Sequence, residues 1–329
     1  MKRNWIAVHT VWSTLIVVIS CASGCEPQGA LRRVSISRAG VGYDVYVERG
    51  HAYVTNNDGV VIFDVSNVER PKKVGNIPSG GTFGVFVKND LAYIAGKSGL
   101  VIADVSNPAR PKELGKCNSE GDTRQVRVHG SYAYVASSIG LEIVDISDPG
   151  MPKPVACWRD PGDAEGIGVH DSVVYLATYR KGLAVIDVTN PSSPKTITTV
   201  ADTQGAWDVH IRDPLLYLGC HGAGIRILKI SERESPQVIG RFNDDDGGEA
   251  LGVWGDGEYL YVADNYGIEV LDIRDPTKPH EIGQYGGVRG AHDVYVEGNC
   301  IYIAEARKGL IILEFKGKAR RAADAVDPD

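Results

Sequence analysis

Two glutamates, Glu165 and Glu249, are the first residues to ask about chemistry, because paired carboxylates flanking a glycosidic bond can cleave it. His292 with Tyr43 and Arg124 offers another reaction, a base and a charge stabiliser of the kind a polysaccharide lyase needs. Glu249, Asp208, His292 and Asp293 are also the donor types that hold a hard divalent ion. None of these sets is held together by local spacing, so the fold must assemble each one. Motifs that carry their own geometry are missing: there is no GxSxG elbow, no GxxxxGKS or GxxxxGKT loop and no HExxH. No CxxC or paired Cys/His spacing suggests zinc, and no cofactor is expected. The acidic run "DDDGGE" at 244–249 lacks the alternating ligands of a calcium loop and reads as a solvated loop.

The elements that must position these residues come from one unit written seven times. Tyr53, Tyr93, Tyr134, Tyr175, Tyr217, Tyr261 and Tyr302 mark it, at spacings of 40, 41, 41, 42, 44 and 41. A glycine follows each tyrosine: Gly59, Gly99, Gly140, Gly182, Gly224, Gly267 and Gly309. Within a copy, four short runs rich in Val, Ile, Leu and Tyr are separated by Gly, Asn, Asp, Ser and Pro, which are strand and turn signals. Four strands per unit and seven units predict a seven-bladed, all-β propeller of four-stranded antiparallel blades. The last copy ends after its third strand, "GLIILEF" at 309–315. Its missing partner is at the other end, where "LRRVSISRAG" (31–40) aligns with "PKKVGNIPSG" (71–80). Residues 31–39 are therefore expected to complete the last blade and close the ring, which removes an open sheet edge.

The third strands "LVIADVSNP" (100–108), "LEIVDISDP" (141–149), "LAVIDVTNP" (183–191) and "IEVLDIRDP" (268–276) resemble the LVIVD-repeat family. The match is good at "VVIFDVSNV" (60–68) and degenerate at "IRILKISER" (225–233) and "LIILEF" (310–315). The resemblance implies a bacterial or archaeal surface-associated propeller and no particular reaction. The repeated Asp64, Asp104, Asp145, Asp187 and Asp272 are expected to satisfy the backbone of their own turns rather than ring a metal. The repeated tyrosines are expected in the core.

Structural positions should stay alike between copies, so recognition is sought where the copies disagree. The two residues before each innermost strand are Tyr43-Asp44, Phe83-Gly84, Arg124-Gln125, Glu165-Gly166, Trp207-Asp208, Glu249-Ala250 and His292-Asp293. The loops between second and third strands open on the same face and contribute Tyr179-Arg180, His221, Tyr266 and Arg307. The expected ligand-binding set is Tyr43, Asp44, Arg124, Glu165, Tyr179, Arg180, Trp207, Asp208, His221, Glu249, Tyr266, His292, Asp293 and Arg307. They would line one mouth of the central channel with the polar-aromatic composition of a recognition surface. A catalytic version would use His292, Tyr43, Arg124, Glu165 and Glu249. His51, His129 and His170 fall at turns on the opposite mouth.

The ends bear on location. Lys2 and Arg3 precede an apolar run, which reads as an export signal within residues 1–25. "VISC" makes Cys21 a candidate for lipidation, with Cys25 as the alternative, so the protein is expected to be exported and tethered or periplasmic. The propeller is assigned to 26–317 and a polar tail to 318–329. Lys+Arg 35 against Asp+Glu 42 leaves no basic stripe for nucleic acid. The expected partner is an envelope protein or glycan, met by a monomeric propeller, with membrane contact only through the N-terminal anchor. Cys117, Cys157, Cys220 and Cys300 are read as buried free thiols.

Overall fold

The computed structural model describes residues 30–159, 163–233, 235–243 and 247–317. The export signal with Cys21 and Cys25, Asp244 to Asp246 and the tail from 318 lie outside the described residues.

The strands form seven sheets of four. First comes β1 (Leu31–Arg38), whose partners lie at the far end of the chain. Blade 1 holds β2 to β5 (Val45–Glu48, His51–Asn56, Gly59–Asp64, Lys72–Pro78), and blade 2 holds β6 to β9 (Thr82–Lys88, Leu91–Gly96, Gly99–Asp104, Lys112–Cys117). Blade 3 is β10 to β13 (Thr123–His129, Tyr132–Ser137, Gly140–Asp145, Lys153–Arg159), and blade 4 is β14 to β17 (Ala164–His170, Val173–Thr178, Gly182–Asp187, Lys195–Val200). Blade 5 is β18 to β21 (Asp208–Arg212, Leu215–Gly219, Ile225–Lys229, Gln237–Phe242), and blade 6 is β22 to β25 (Gly252–Asp256, Tyr259–Ala263, Ile268–Asp272, His280–Tyr285). Blade 7 takes β26 to β28 (Ala291–Glu297, Cys300–Glu305, Gly309–Phe315) and receives β1 as its outermost strand. Leu31 pairs with Phe315 and Arg38 with Gly309, antiparallel. The ring is closed, and no blade of the described residues is left a strand short.

Blades cohere because each buries its apolar face against the next. Each of the seven hydrophobic clusters draws on two adjacent blades: one joins Tyr53 and Ile62 to Val85 and Ile94, another Val45 and Phe63 to Tyr302 and Ile312. The seven repeated tyrosines are all buried in this core. At the outer wall the blades touch through backbone. A Cβ on Gly75 would come within 1.9 Å of the Pro108 carbonyl, and one on Gly240 within 2.0 Å of that of Pro276, so the fold requires the missing side chain. At the closing strand the aligned residue is Ser35, whose hydroxyl donates to the Val68 carbonyl at 2.7 Å.

The repeated aspartates act on their own turns. Asp64, Asp104, Asp145, Asp187 and Asp272 accept the backbone N–H two residues on. The hydroxyls of Ser66, Ser106, Ser147 and Thr189 first, and those backbone N–H groups second, hold the first four carboxyls below the usual range, while the Arg274 side chain is the main cause for Asp272. Across the ladder Asp64 faces Lys72, Asp104 Lys112, Asp145 Lys153 and Asp187 Lys195. Where the third strand changes, its partner changes too. Lys229 faces the neutral Gln237, and Glu314 faces Arg32, whose guanidinium reaches it at 2.8 Å. Among the thiols, Cys117 and Cys220 are buried as expected, but Cys300 is half-buried and Cys157 is exposed. The difference follows from register: both lie on outermost strands, but Cys117 sits opposite Leu100, whereas Cys157 sits opposite Glu142, one step past Leu141, and so points to the other face of its blade.

Candidate functional site

The variable residues reach the mouth by a backbone device. In blades 2, 3, 4 and 7 the pairing slips by one residue between Thr82 and Gly84, Thr123 and Gln125, Ala164 and Gly166, and Ala291 and Asp293. The extra residues are Phe83, Arg124, Glu165 and His292. A β-bulge leaves its extra residue unpaired and re-aims the side chain, here at the channel mouth. Blade 6 corrects the sequence register. Strand β22 begins at Gly252, so the counterpart of Trp207 (ten before Tyr217) is Leu251 (ten before Tyr261), not Glu249. Leu251 is buried, and Glu249 approaches from two residues upstream.

The residue after each of these positions lies in, or for Asp44 immediately before, the regular ladder of its innermost strand. In ring order these are Asp44, Gly84, Gln125, Gly166, Asp208, Gly252 and Asp293. The polar members tie adjacent blades. Asp293 accepts the Val45 N–H at 3.0 Å, Asp44 that of Val85 at 2.8 Å, Gln125 that of Ile167 at 3.2 Å and Asp208 that of Val253 at 2.9 Å. Gln125 also donates to Asp208 at 2.9 Å. The glycines admit the next blade's backbone: an added Cβ would meet the Arg124 carbonyl at 2.4 Å from Gly84 and the Trp207 carbonyl at 2.4 Å from Gly166. Asp44, Asp208 and Asp293, expected at the rim, thus have carboxylates engaged in blade-to-blade ties. Burial, the adjacent Asp44 and a hydrogen bond to it hold the Asp293 carboxyl well above the usual range. Burial raises Asp208 as well, against the opposing pull of the Val253 N–H and Arg127.

Below this ring the channel is filled. Phe86, Tyr46, Tyr295, Trp254 and His210 form a belt with successive centroid distances of 5.1, 5.1, 4.1 and 4.3 Å. The Arg127 guanidinium lies over Phe86 at 5.8 Å. Burial first, then the Arg127 and Arg212 cations, push His210 down to about 3, so it is neutral. A cavity of about 20 Å³ remains between the belt and the aspartates, room for about one water.

At the mouth the side chains form two arcs. In the first, Tyr43 contacts His292 and Phe83 at 5.7 and 5.5 Å between centroids, and its hydroxyl donates to Asn57 at 3.0 Å. Arg124 lies over Phe83 at 4.9 Å and approaches Glu165 at 3.5 Å. Burial raises Glu165 against the Arg124 charge, and burial lowers His292. In the second arc Tyr179, Trp207 and His221 meet at 6.0, 5.6 and 5.6 Å. The His221 Nε2 stands 3.4 Å from Glu249, and Glu249 accepts from Asn265 at 3.0 Å while its own N–H donates to Asn265 at 2.9 Å. Arg180 is 3.9 Å from Asp163. Tyr266 is exposed, and the Arg307 N–H donates to Glu305; neither joins an arc by a ring contact or ion pair.

Of the residues named for a catalytic version, His292, Tyr43, Arg124 and Glu165 lie along the first arc and Glu249 in the second. Glu165 is partnered by Arg124, and Glu249 by His221 and Asn265, so each carboxylate has its own neighbours. Among the described residues no group of three or more His, Cys, Asp or Glu is placed to hold a metal ion. Residue types alone did not reveal the alternating Asp/Gln and Gly ring; the signal was present at the residue nine before each core tyrosine (Asp44 and Tyr53, Gly252 and Tyr261).

The LVIVD repeat model matches residues 39–77, 79–119, 120–155, 161–202, 247–286 and 288–314, which together exceed half of the chain. No curated protein matches. Among solved structures, the crystallised β-propeller domain of Cps50 (Swd1) from Myceliophteria thermophila is similar at a TM-score of 0.72 and 12% identity, over 87% of this chain and 99% of that one. The computationally designed Ika8 protein is similar at a TM-score of 0.64 and 8% identity, over 86% of this chain and 99% of that one. At these identities the likeness speaks for the fold alone. Taken with the seven closed blades, the repeat match makes this chain a member of the LVIVD-repeat family.

Proposed function

We propose that the protein is a non-catalytic binding or scaffold propeller of the cell envelope, which holds a protein or glycan on the channel mouth. One observation carries this reading: the residues that differ between copies gather in two contiguous arcs above a channel filled by aromatic side chains. Aromatic rings packed across the channel favour contact on the surface of the mouth, which suits a macromolecule better than a buried small substrate. The basic start, apolar run and following cysteines support export and an N-terminal lipid tether.

The test is retention of a partner from envelope extract by the intact protein and by Arg124→Ala and Trp207→Ala variants. A partner held by the wild type and released by these variants is expected; one held equally by all three places binding elsewhere. Metabolic fatty-acid labelling checks the tether. Label that persists in the Cys21→Ser, Cys25→Ser double variant, or never reaches the wild type, defeats it.

A further inference from the structure

The geometry points to a saccharide site at the second arc, on blades 4 to 6, where a sugar ring stacks on the Tyr179–Trp207–His221 corner and its hydroxyls bond to Glu249. This rests on the binding reading above and names its ligand class. A pyranose presents C–H groups on its faces and hydroxyls around its edge. It is therefore matched by aromatic surface bordered by fixed, planar hydrogen-bonding groups.

Both halves of that match are present. Tyr179 is perpendicular to its neighbours, at 86° to Trp207 and 90° to His221, so the rings are not stacked face on face. An edge contact covers at most one face of a pair, and Tyr179 remains 41% exposed. Beside the rings, Glu249 and Asn265 are locked by reciprocal bonds of 2.9 and 3.0 Å, so the carboxylate is oriented before any ligand arrives. A cationic head would also favour aromatic rings beside a carboxylate. Here, however, one wall is an imidazole already facing that carboxylate at 3.4 Å, and Arg180 stands on the same loop as Tyr179. The imidazole suits hydroxyls, and the Arg180 guanidinium repels a cation.

Two independent features mark the same corner. His221 is held at φ +44°, a left-handed conformation that side chains other than glycine adopt infrequently. The next blade fixes it there through a two-way backbone bridge with Ala250, both bonds 3.2 Å. Local strain maintained by surrounding structure is typical of sites that must be pre-organised. The segment carrying Trp207 and His221 also departs furthest from the repeat: the family match stops at 202 and resumes at 247.

The test is titration of the full-length protein with neutral hexose, N-acetylhexosamine and uronate tetra- to hexasaccharides, followed by tryptophan fluorescence and calorimetry. At least one class should bind. Trp207→Ala and Tyr179→Ala should weaken it more than about tenfold, and Glu249→Gln about tenfold, the loss of one hydrogen bond to a charged group. Trp207→Phe, which keeps an aromatic ring, should retain part of the binding and guards against misfolding of the alanine variant. Met151→Ser, on an exposed outer turn, should leave the affinity unchanged. Sugar binding that Arg124→Ala abolishes and Trp207→Ala spares overturns this site while the mouth stands. Binding of a tetramethylammonium probe in place of every sugar overturns it too. So does a protein ligand at the mouth with all saccharides silent; silence of sugars together with loss of no partner in any mouth variant defeats both readings.

Discussion

Gly166→Ala sets two effects against each other at the hub. A glycine in a strand without a left-handed φ normally gains from alanine, by about 0.4–1 kcal/mol, because the unfolded chain becomes stiffer. At Gly166 the new methyl would lie 2.4 Å from the Trp207 carbonyl and 2.7 Å from the Asp208 Cα. Both are backbone atoms of the next blade and cannot swing aside, so blade 5 must shift outward. Overpacking of this kind costs about 1–3 kcal/mol, which exceeds the gain. The expected net loss is about 1–2 kcal/mol, a fall in Tm of about 2–3 °C for a domain of this size. Gly286→Ala, where an added Cβ meets nothing within 4 Å and φ is not left-handed, should be neutral or slightly stabilising. Thermal melts of the two variants and the wild type decide it. A Gly166→Ala protein as stable as the wild type would refute the close approach of blades 4 and 5, and with it the account of how Trp207 is placed.

Other outcomes follow from the same ring and from the closing strand. Asp293 has its folded pKa raised, so its contribution is full below the unfolded carboxylate value, about 4, and is lost as pH rises through the folded one. Melts across pH should therefore show Asp293→Asn gaining on the wild type as pH rises, and a constant difference would contradict the buried acid pair. Removing residues 31–38 bares the β28 edge and should turn a monodisperse protein into an aggregating one by size-exclusion chromatography. Maleimide labelling should modify exposed Cys157 first and spare Cys220, whose thiol burial pushes up to about 12.

The architecture was legible because every copy repeats the same constraints. A core tyrosine recurs in all seven copies, a turn aspartate in five and its cross-strand lysine in four, whether or not anything binds. The last copy lacked its fourth strand and residues 31–40 aligned with 71–80, so β1 could be matched to its blade from sequence; there Glu314 pairs with Arg32. The mouth was less legible because it depends on single-residue slips. A bulge at Arg124 or His292 decides which of two adjacent side chains looks out and which looks into the channel. Residue type favoured both, so Asp44, Asp208 and Asp293 were grouped with the rim although they join blades. In blade 6 the longer connection before β22 hid the register, and Leu251 holds the position expected of Glu249.

The way β1 joins β28 also fixes which way the molecule looks. Leu31 lies opposite Phe315, and the Lys316 N–H donates to the Ala30 carbonyl at 3.2 Å, so the described residues begin and end side by side. They do so at the face away from Gly309 and Arg38, and hence away from both arcs. The segments that precede Ala30 and follow Gly317 are therefore handed off behind the disc, opposite the side on which Trp207 and Arg124 stand.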